Sequence, residues 1–132
     1  MFLLDHASIT VTDLDRARPF YDAIMSALGA TKVYDRADAL GYGVRSRATE
    51  DSHTYVTVYA SADAKPDPRR HWCFKASTRS IVIDFHIAGL ASGGKDAGAP
   101  GLRPRYHASY FGAFLEDPEG NRVEAVCHRV DG

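Results

Sequence analysis

Three side chains, His6, His71 and Glu124, are of types that bind divalent metals, and each lies in a run of alternating polar and apolar residues. Such alternation is typical of a half-buried strand, in which residues i and i+2 share one face. Each of the three side chains belongs to the polar face of its run. Two imidazoles and one carboxylate suit a divalent first-row metal and leave coordination positions open for substrate or water.

An internal repeat relates the two histidines. His6 begins a strand and a helix that end at Gly29, and His71 begins a second strand and helix that end at Gly94; both spacings are 23 residues. A histidine on a strand is usually a surface or structural side chain. Equivalent places in a repeat favour a shared role for these two instead.

The elements around these residues predict two βαβββ modules. The first spans about 1–61 and the second about 71–128, with a proline-containing linker at 62–70 between them. The expected elements are strands at 5–11, 31–36, 40–45 and 53–60 with a helix ending at Gly29 in the first module, and strands at 71–76, 103–106, 110–116 and 122–128 with a helix from Ser77 or Thr78 to about Ser92 in the second. A loop is expected at 98–101 and a turn at 117–121.

The start of the first helix leaves three possible N-caps, Thr12, Asp13 and Asp15. If Asp15 is the N-cap, Pro19 lies in the first turn, where its missing N–H costs little.

Each sheet must pack its apolar face on its own helix, so His6, His71 and Glu124 are expected to face away from the helices. If the two sheets curve around a common cavity, the three side chains converge there.

Composition limits the class of protein. With 132 residues, of which 45% are hydrophobic and 25% charged, the chain is typical of one soluble globular domain. A formal net charge of -1 argues against a nucleic-acid partner, and no stretch approaches the roughly 20 apolar residues of a membrane span. Residues 1–4 are too short and lack the basic lead of an export signal. Cys73 and Cys127 form no disulfide framework, so we expect reduced thiols and a cytoplasmic location.

Two stretches resemble the vicinal oxygen chelate superfamily of glyoxalases, bleomycin-resistance proteins and dioxygenases. The first is LDHASITVTDL at 4–14, followed by Phe20-Tyr21, and the second is FGAFLEDPEGNRVEAV at 111–126, whose DPEGNRVE segment is the most specific. The resemblance covers nearly the whole chain. It implies a single α+β domain over 1–132, in which two βαβββ modules form an open, cup-shaped mixed sheet with the helices on the outside.

The resemblance also implies a metal site. Family ligands lie on the first and last strands of the modules, and these positions match His6, His71 and Glu124 here. We expect Fe²⁺, Mn²⁺ or Zn²⁺ as the cofactor and a homodimer as the assembly, with modules paired within or across chains. Pairing across chains would give each site ligands from two subunits.

One position departs from the ligand pattern of glyoxalase-type members. Glyoxalase-type members carry a fourth ligand, Glu or Gln, on the last strand of the first module, and spacing from His6 puts that position near Thr57. Threonine offers no carboxylate there. The remaining two-His-one-Glu set is similar to that of extradiol dioxygenases and fosfomycin-resistance proteins, which argues against glyoxalase I activity.

Other side chains are candidates for contact with substrate. His107 could act as a general acid or base, and Tyr110 could hold a substrate oxygen by a hydrogen bond. Surface and packing roles are the alternative for each. The candidate substrate-binding residues are Tyr55, Thr57, Tyr59, Lys75 and Arg103, the last as a possible carboxylate clamp.

These features predict a metal-dependent enzyme acting on a small oxygenated organic substrate. Dioxygenation, isomerase or lyase chemistry and ring-opening addition all fit a metal that holds two substrate oxygens. The alternative is a metal-free protein that sequesters a small molecule, as bleomycin-resistance relatives do. A third interpretation is a nonfunctional or regulatory domain with vestigial ligands.

Overall fold

Two four-stranded mixed sheets, each with one helix, make up the architecture. The structure, a computed structural model, describes residues 3–45, 48–49 and 52–130. The first module contains β1 His6–Val11, α1 Leu14–Leu28, β2 Lys32–Asp35, β3 Ala39–Val44 and β4 Thr54–Ala60, and the second contains β5 His71–Lys75, α2 Arg79–Ala91, β6 Lys95–Leu102, β7 Phe111–Glu116 and β8 Arg122–Cys127. Met1 and Phe2, which precede the predicted first strand, lie outside the described residues.

The sheets share one topology. Their strand orders are β1-β4-β3-β2 and β5-β8-β7-β6. The first and last strands of each module pair in parallel, and the other neighbours are antiparallel. The repeat predicted from the sequence is therefore confirmed, and the fold is α+β with open sheets.

Capping residues set the helix boundaries. Asp13 is the N-cap of α1, since its carboxylate accepts a hydrogen bond from the Arg16 amide, and Gly29 ends the helix with a φ of 80°. Pro19 therefore lies beyond the first turn of α1. In α2 the Thr78 hydroxyl accepts from the Ile81 amide.

The two helices pack against each other and form the centre of the core. Two glycines make this approach possible. A Cβ on Gly89 would lie 2.3 Å from Leu115 Cδ1, and one on Gly94 would lie 2.4 Å from Phe20 Cε1. Side chains at these positions would push α2 away from α1 and from its own sheet.

The turn at 117–121 joins the two modules. The side-chain Nδ2 of Asn121 donates to the Thr10 carbonyl, 3.1 Å away, and the Tyr21 hydroxyl donates to Asp117 at 2.6 Å. The Glu119 carboxylate accepts from the backbone N–H of Thr12 at 2.7 Å. The predicted turn is confirmed, and it also fixes the second module on the start of α1.

One predicted strand is wrong. Residues 103–106, expected as a strand, form a turn, and β6 is instead Lys95–Leu102, which includes the predicted loop at 98–101. The sequence of this segment is typical of a loop because it contains several glycines and Pro100. It pairs as the edge strand of the sheet, with two register irregularities, and an edge strand tolerates a residue without an N–H.

Among the described residues, no helix is both long enough and apolar enough to cross a membrane.

Candidate active site

A buried carboxylate lies on the open face of the second sheet. Glu124 of β8 is 2% exposed. Its Oε1 lies 3.3 Å from Nε2 of His71 on β5, and its Oε2 accepts a hydrogen bond from the Tyr110 hydroxyl. Gly112 leaves room for this carboxylate, because a Cβ there would come within 3.2 Å of Oε2. The predicted residues Glu124, His71 and Tyr110 are thus brought together.

Glu124 affects the protonation of two neighbours. Burial, followed by the hydrogen bond to Glu124, raises the pKa of Tyr110 well above its ordinary value. Burial, followed by the Glu124 charge, raises the pKa of Cys73 to about 12. At neutral pH, Tyr110 is therefore a neutral phenol that donates a hydrogen bond, and Cys73 is a thiol.

His6 lies in a second cluster, on the first module. Its Nδ1 is 2.5 Å from Oδ1 of Asp5, its ring stacks on Tyr55 with centroids 5.3 Å apart, and Nε2 of His53 is 3.5 Å from the same Asp5 oxygen. A carboxylate on Nδ1 leaves Nε2 of His6 as the nitrogen available to a metal, and such pairs orient metal-binding histidines in many proteins.

The two clusters are separate within one chain. In the described part of the chain, Asp5, His6 and His53 form the one group of three metal-binding side chains whose ligand atoms all lie within 4.8 Å of one another. His6 therefore does not join His71 and Glu124 at that spacing in a single chain. The donor set itself fits the expected metals, since imidazole nitrogen and carboxylate oxygen suit Fe²⁺, Mn²⁺ and Zn²⁺.

The position of the family's fourth ligand is covered. Thr57 is 1% exposed, and its hydroxyl is hydrogen-bonded to the Tyr34 hydroxyl. The Tyr34 ring occupies the space above Gly41, where a Cβ would lie 2.5 Å from it. Thr57 contacts Tyr34 rather than open solvent.

The other candidate substrate-binding residues surround the open faces. Tyr55 is half-buried beside His6, while Tyr59 and Lys75 are exposed. Arg103 follows β6, and its guanidinium carbon lies 5.7 Å from the centroid of the Phe114 ring.

His107, expected as an acid or base, pairs with a second histidine. Its Nδ1 accepts from the Ser109 amide, so Nε2 carries the proton and donates to Nδ1 of His128 at 2.9 Å. The Tyr110 ring packs edge-on against both imidazoles. The pair therefore adjoins the residue that contacts Glu124.

Three residues of these clusters were missed by sequence reasoning. Sequence patterns gave His53, His128 and Asp5 no candidate role in binding or catalysis. Sequence signals were available: Asp5 adjoins His6, and His128 lies four residues after Glu124, on the same face of an extended chain. His53 offered a third signal, since it begins the predicted strand 53–60 and alternates onto the same face as Tyr55.

Comparisons with known proteins agree with this architecture. The family model for the Glyoxalase/Bleomycin resistance protein/Dioxygenase superfamily matches residues 3–125. The chain is similar to the crystal structure of a glyoxalase/bleomycin resistance protein from Albidiferax ferrireducens, at 26% identity and a TM-score of 0.77, over 94% of this chain and 97% of that one. No curated protein matches the sequence.

Two further solved structures share the fold. A glyoxalase-related enzyme from Fulvimarina pelagi is 12% identical with a TM-score of 0.70, over 96% of this chain and 88% of that one. A lactoylglutathione lyase from Agrobacterium tumefaciens is 20% identical with a TM-score of 0.62, over 95% and 92%. With the family model matching nearly its whole length, the chain belongs to the glyoxalase/bleomycin resistance protein/dioxygenase superfamily.

Proposed function

We propose that this protein is a divalent-metal-dependent enzyme acting on a small oxygenated organic molecule, with His6, His71 and Glu124 as the metal ligands. The burial of Glu124 beside His71 carries the proposal. A carboxylate that is 2% exposed is costly to keep charged without partners. Here an imidazole and a phenol from two other segments supply them, on a sheet face that the helix leaves open.

The three ligands offer two imidazole nitrogens and a carboxylate oxygen. Asp5 holds Nδ1 of His6 and so presents Nε2, while His71 directs Nε2 toward Glu124. When bound, Fe²⁺, Mn²⁺ or Zn²⁺ would supply a Lewis acid for substrate oxygens. The remaining roles, which are binding, orientation and proton transfer, belong to side chains of the protein itself.

Tyr110, His107 and His128 are suited to hydrogen bonding and proton transfer. Tyr110 keeps its proton at neutral pH; its O–H donates to Glu124, and its oxygen can accept a hydrogen bond from a substrate hydroxyl. The imidazole of His107, hydrogen-bonded to His128, can take up or release a proton next to Tyr110. Cys73 remains a thiol and so is not a nucleophile at neutral pH.

A complete site requires two chains. His6 lies with Asp5 and His53 in one chain, and the two sheets share no hydrogen-bonded strands among the described residues. Pairing the first module of one chain with the second module of another would bring His6 to His71 and Glu124 of the other chain. The proposed assembly is therefore a homodimer with shared sites.

Elemental analysis of protein purified without added metal tests the proposal. Wild type is expected to carry near-stoichiometric Fe, Mn or Zn, which Glu124→Ala loses. Glu116→Ala, which removes a carboxylate from the neighbouring strand, should keep the metal. Added metal should also raise the melting temperature of wild type but not of Glu124→Ala. No metal in any variant after soaking would overturn the site and favour metal-free ligand sequestration.

A further inference from the structure

A groove on the second module has three arginines in its lining. It encloses about 270 Å³ next to β6 and β7. Its lining includes Arg103, Arg105, Arg122, His71, Tyr106 and Phe114. We propose that this groove binds an anionic group of the substrate, a carboxylate or a phosphoryl group. The assignment rests on the proposed function and names the substrate class of that same site.

The arginines of the groove are not neutralised by ion pairs among the described residues. None of the described residues that line it is acidic. Within the described ranges, Arg103, Arg105 and Arg122 form no ion pair with a carboxylate. The chain as a whole has a formal net charge of -1, so the positive charge is local. Three neighbouring guanidinium groups repel one another, and a bound anion would relieve this repulsion.

Arg103 is held in place before any ligand arrives. Its Nη2 donates to the Ala99 carbonyl at 2.7 Å and its Nη1 to the Leu102 carbonyl at 3.5 Å, while the guanidinium lies over the Phe114 ring. A guanidinium has five N–H donors, and the ones left over match the two oxygens of a carboxylate or phosphoryl group. Because the side chain is already ordered, binding costs less conformational entropy.

Two glycines of β6 make room for this arrangement. A Cβ on Gly98 would lie 3.3 Å from Nη2 of Arg103, and one on Gly101 would lie 3.2 Å from Nη1. Side chains at either position would crowd the guanidinium. The glycines of β6, which made the sequence look like a loop, therefore leave space for Arg103 to lie along the edge strand.

The groove adjoins the proposed metal site. His71 lines it, and Arg122 is the register partner of His71 across β5 and β8. An anion held by the arginines would leave the rest of the molecule beside His71 and Glu124. The volume is slightly below the range of roughly 300–1,000 Å³ of drug-sized pockets, so the ligand is a small molecule that combines an acidic group with the oxygens that the metal would bind.

Calorimetric titration with malonate and with inorganic phosphate tests the assignment. The protein is stripped of metal, so that neither anion can bind through a metal, and ionic strength is held constant. Wild type is expected to bind at least one anion, which identifies the carboxylate or phosphoryl class. Arg103→Gln should weaken binding about tenfold or more. Arg69→Gln, which removes the same charge from the exposed linker, should leave binding unchanged, and circular dichroism checks that each variant folds.

The outcomes separate this proposal from the metal site. Binding of neither anion, or equal weakening by Arg103→Gln and Arg69→Gln, would overturn the anion site whatever the metal analysis gives. Anion binding that persists in Glu124→Ala supports a groove that works without the metal ligands. The same binding in a wild type that takes up no metal would keep the groove and reject the metal-dependent function.

Discussion

Around Glu124, burial and negative charge act in the same direction on two neighbouring side chains. Both raise the pKa of Cys73 and that of Tyr110. The carboxylate itself was predicted from one sequence position, on the polar face of a strand. Its burial was not predictable, because it depends on contacts with Gly112 of β7 and with Tyr110, which directly precedes that strand.

Cys73 should resist alkylation. At pH 8, a thiol with a pKa of about 12 holds roughly a thousandfold less thiolate than one at the ordinary value of 9.0, and the thiolate is the reactive form. Glu124→Gln removes the nearby negative charge, so it should lower this pKa and speed the reaction, whereas Glu116→Gln should not. Iodoacetamide labelling with peptide mapping measures the rate. A wild-type rate equal to that of a free cysteine at pH 8 would contradict the assigned environment.

At the scale of elements, the turn at 117–121 was recognised from its composition, but its contacts were not. Glu119 accepts hydrogen bonds from the amides of Thr12 and Asp13 at the start of α1. Burial alone would raise the pKa of Glu119, but these hydrogen bonds outweigh it and hold the pKa below its ordinary value. The Asp13 carboxylate caps α1, and the Glu119 carboxylate adds a second negative charge at the N-terminal end of this helix from the other module.

Glu119→Gln should lower the free energy of unfolding by about 1–2 kcal/mol at pH 7, because the hydrogen bonds to the Thr12 and Asp13 amides lose their charged acceptor. Because the folded-state pKa is depressed, this stabilisation is full above the unfolded pKa near 4.5 and disappears as the pH falls through the folded value. Urea unfolding of both proteins between pH 3 and 7 measures the difference. Asp63→Asn in the exposed linker is the control, and a difference that stays constant with pH would refute the role.

The packing of α2 against β7 and α1 depends on Gly89. Alanine is favoured over glycine inside a helix by up to about 1 kcal/mol. Gly89→Ala should nevertheless lower the free energy of unfolding by about 1–3 kcal/mol, because its Cβ would collide with Leu115. Thermal or urea unfolding measures this.

The double-mutant cycle with Leu115→Ala is the control for Gly89→Ala. Once the leucine side chain is absent, the penalty at Gly89 should shrink, since the nearest colliding atom is gone. If the penalty is unchanged, the loss of stability in Gly89→Ala does not come from the collision with Leu115.

At the scale of the whole molecule, pairing across chains predicts complementation between two inactive variants. His6→Ala and Glu124→Ala should each lose the metal. A mixed dimer would contain one site with His6 from one chain and His71 and Glu124 from the other, all intact. Random mixing makes about half of the dimers mixed, so roughly a quarter of the wild-type metal content should return.

The experiment is to unfold and refold the two variants together and measure metal content. The control is the double variant His6→Ala/Glu124→Ala mixed with wild type. Its mixed dimers should contain no intact site if sites are shared between chains, and one intact site if each site is built within one chain. No recovery in the mixture of single variants would mean that each site is built within one chain.

The sequence by itself determined the repeat, the sheet faces and the family. Alternating residues fix which side chains share a face of a strand, and equal spacing from His6 to Gly29 and from His71 to Gly94 reflects two copies of one βαβββ unit. These are local properties of the chain. For that reason most helix and strand boundaries agree with the structure to within one or two residues.

Only the tertiary structure decided which candidate residues meet. It placed His71 with Glu124 and Tyr110, His6 with Asp5 and His53, and the edge strand β6 under Arg103. The contacts of His71 with Glu124 and of His6 with His53 join segments whose separation in the chain carries no periodic signal. They arise from how the sheets twist and how the helices pack, and a linear pattern does not encode the distance between two faces.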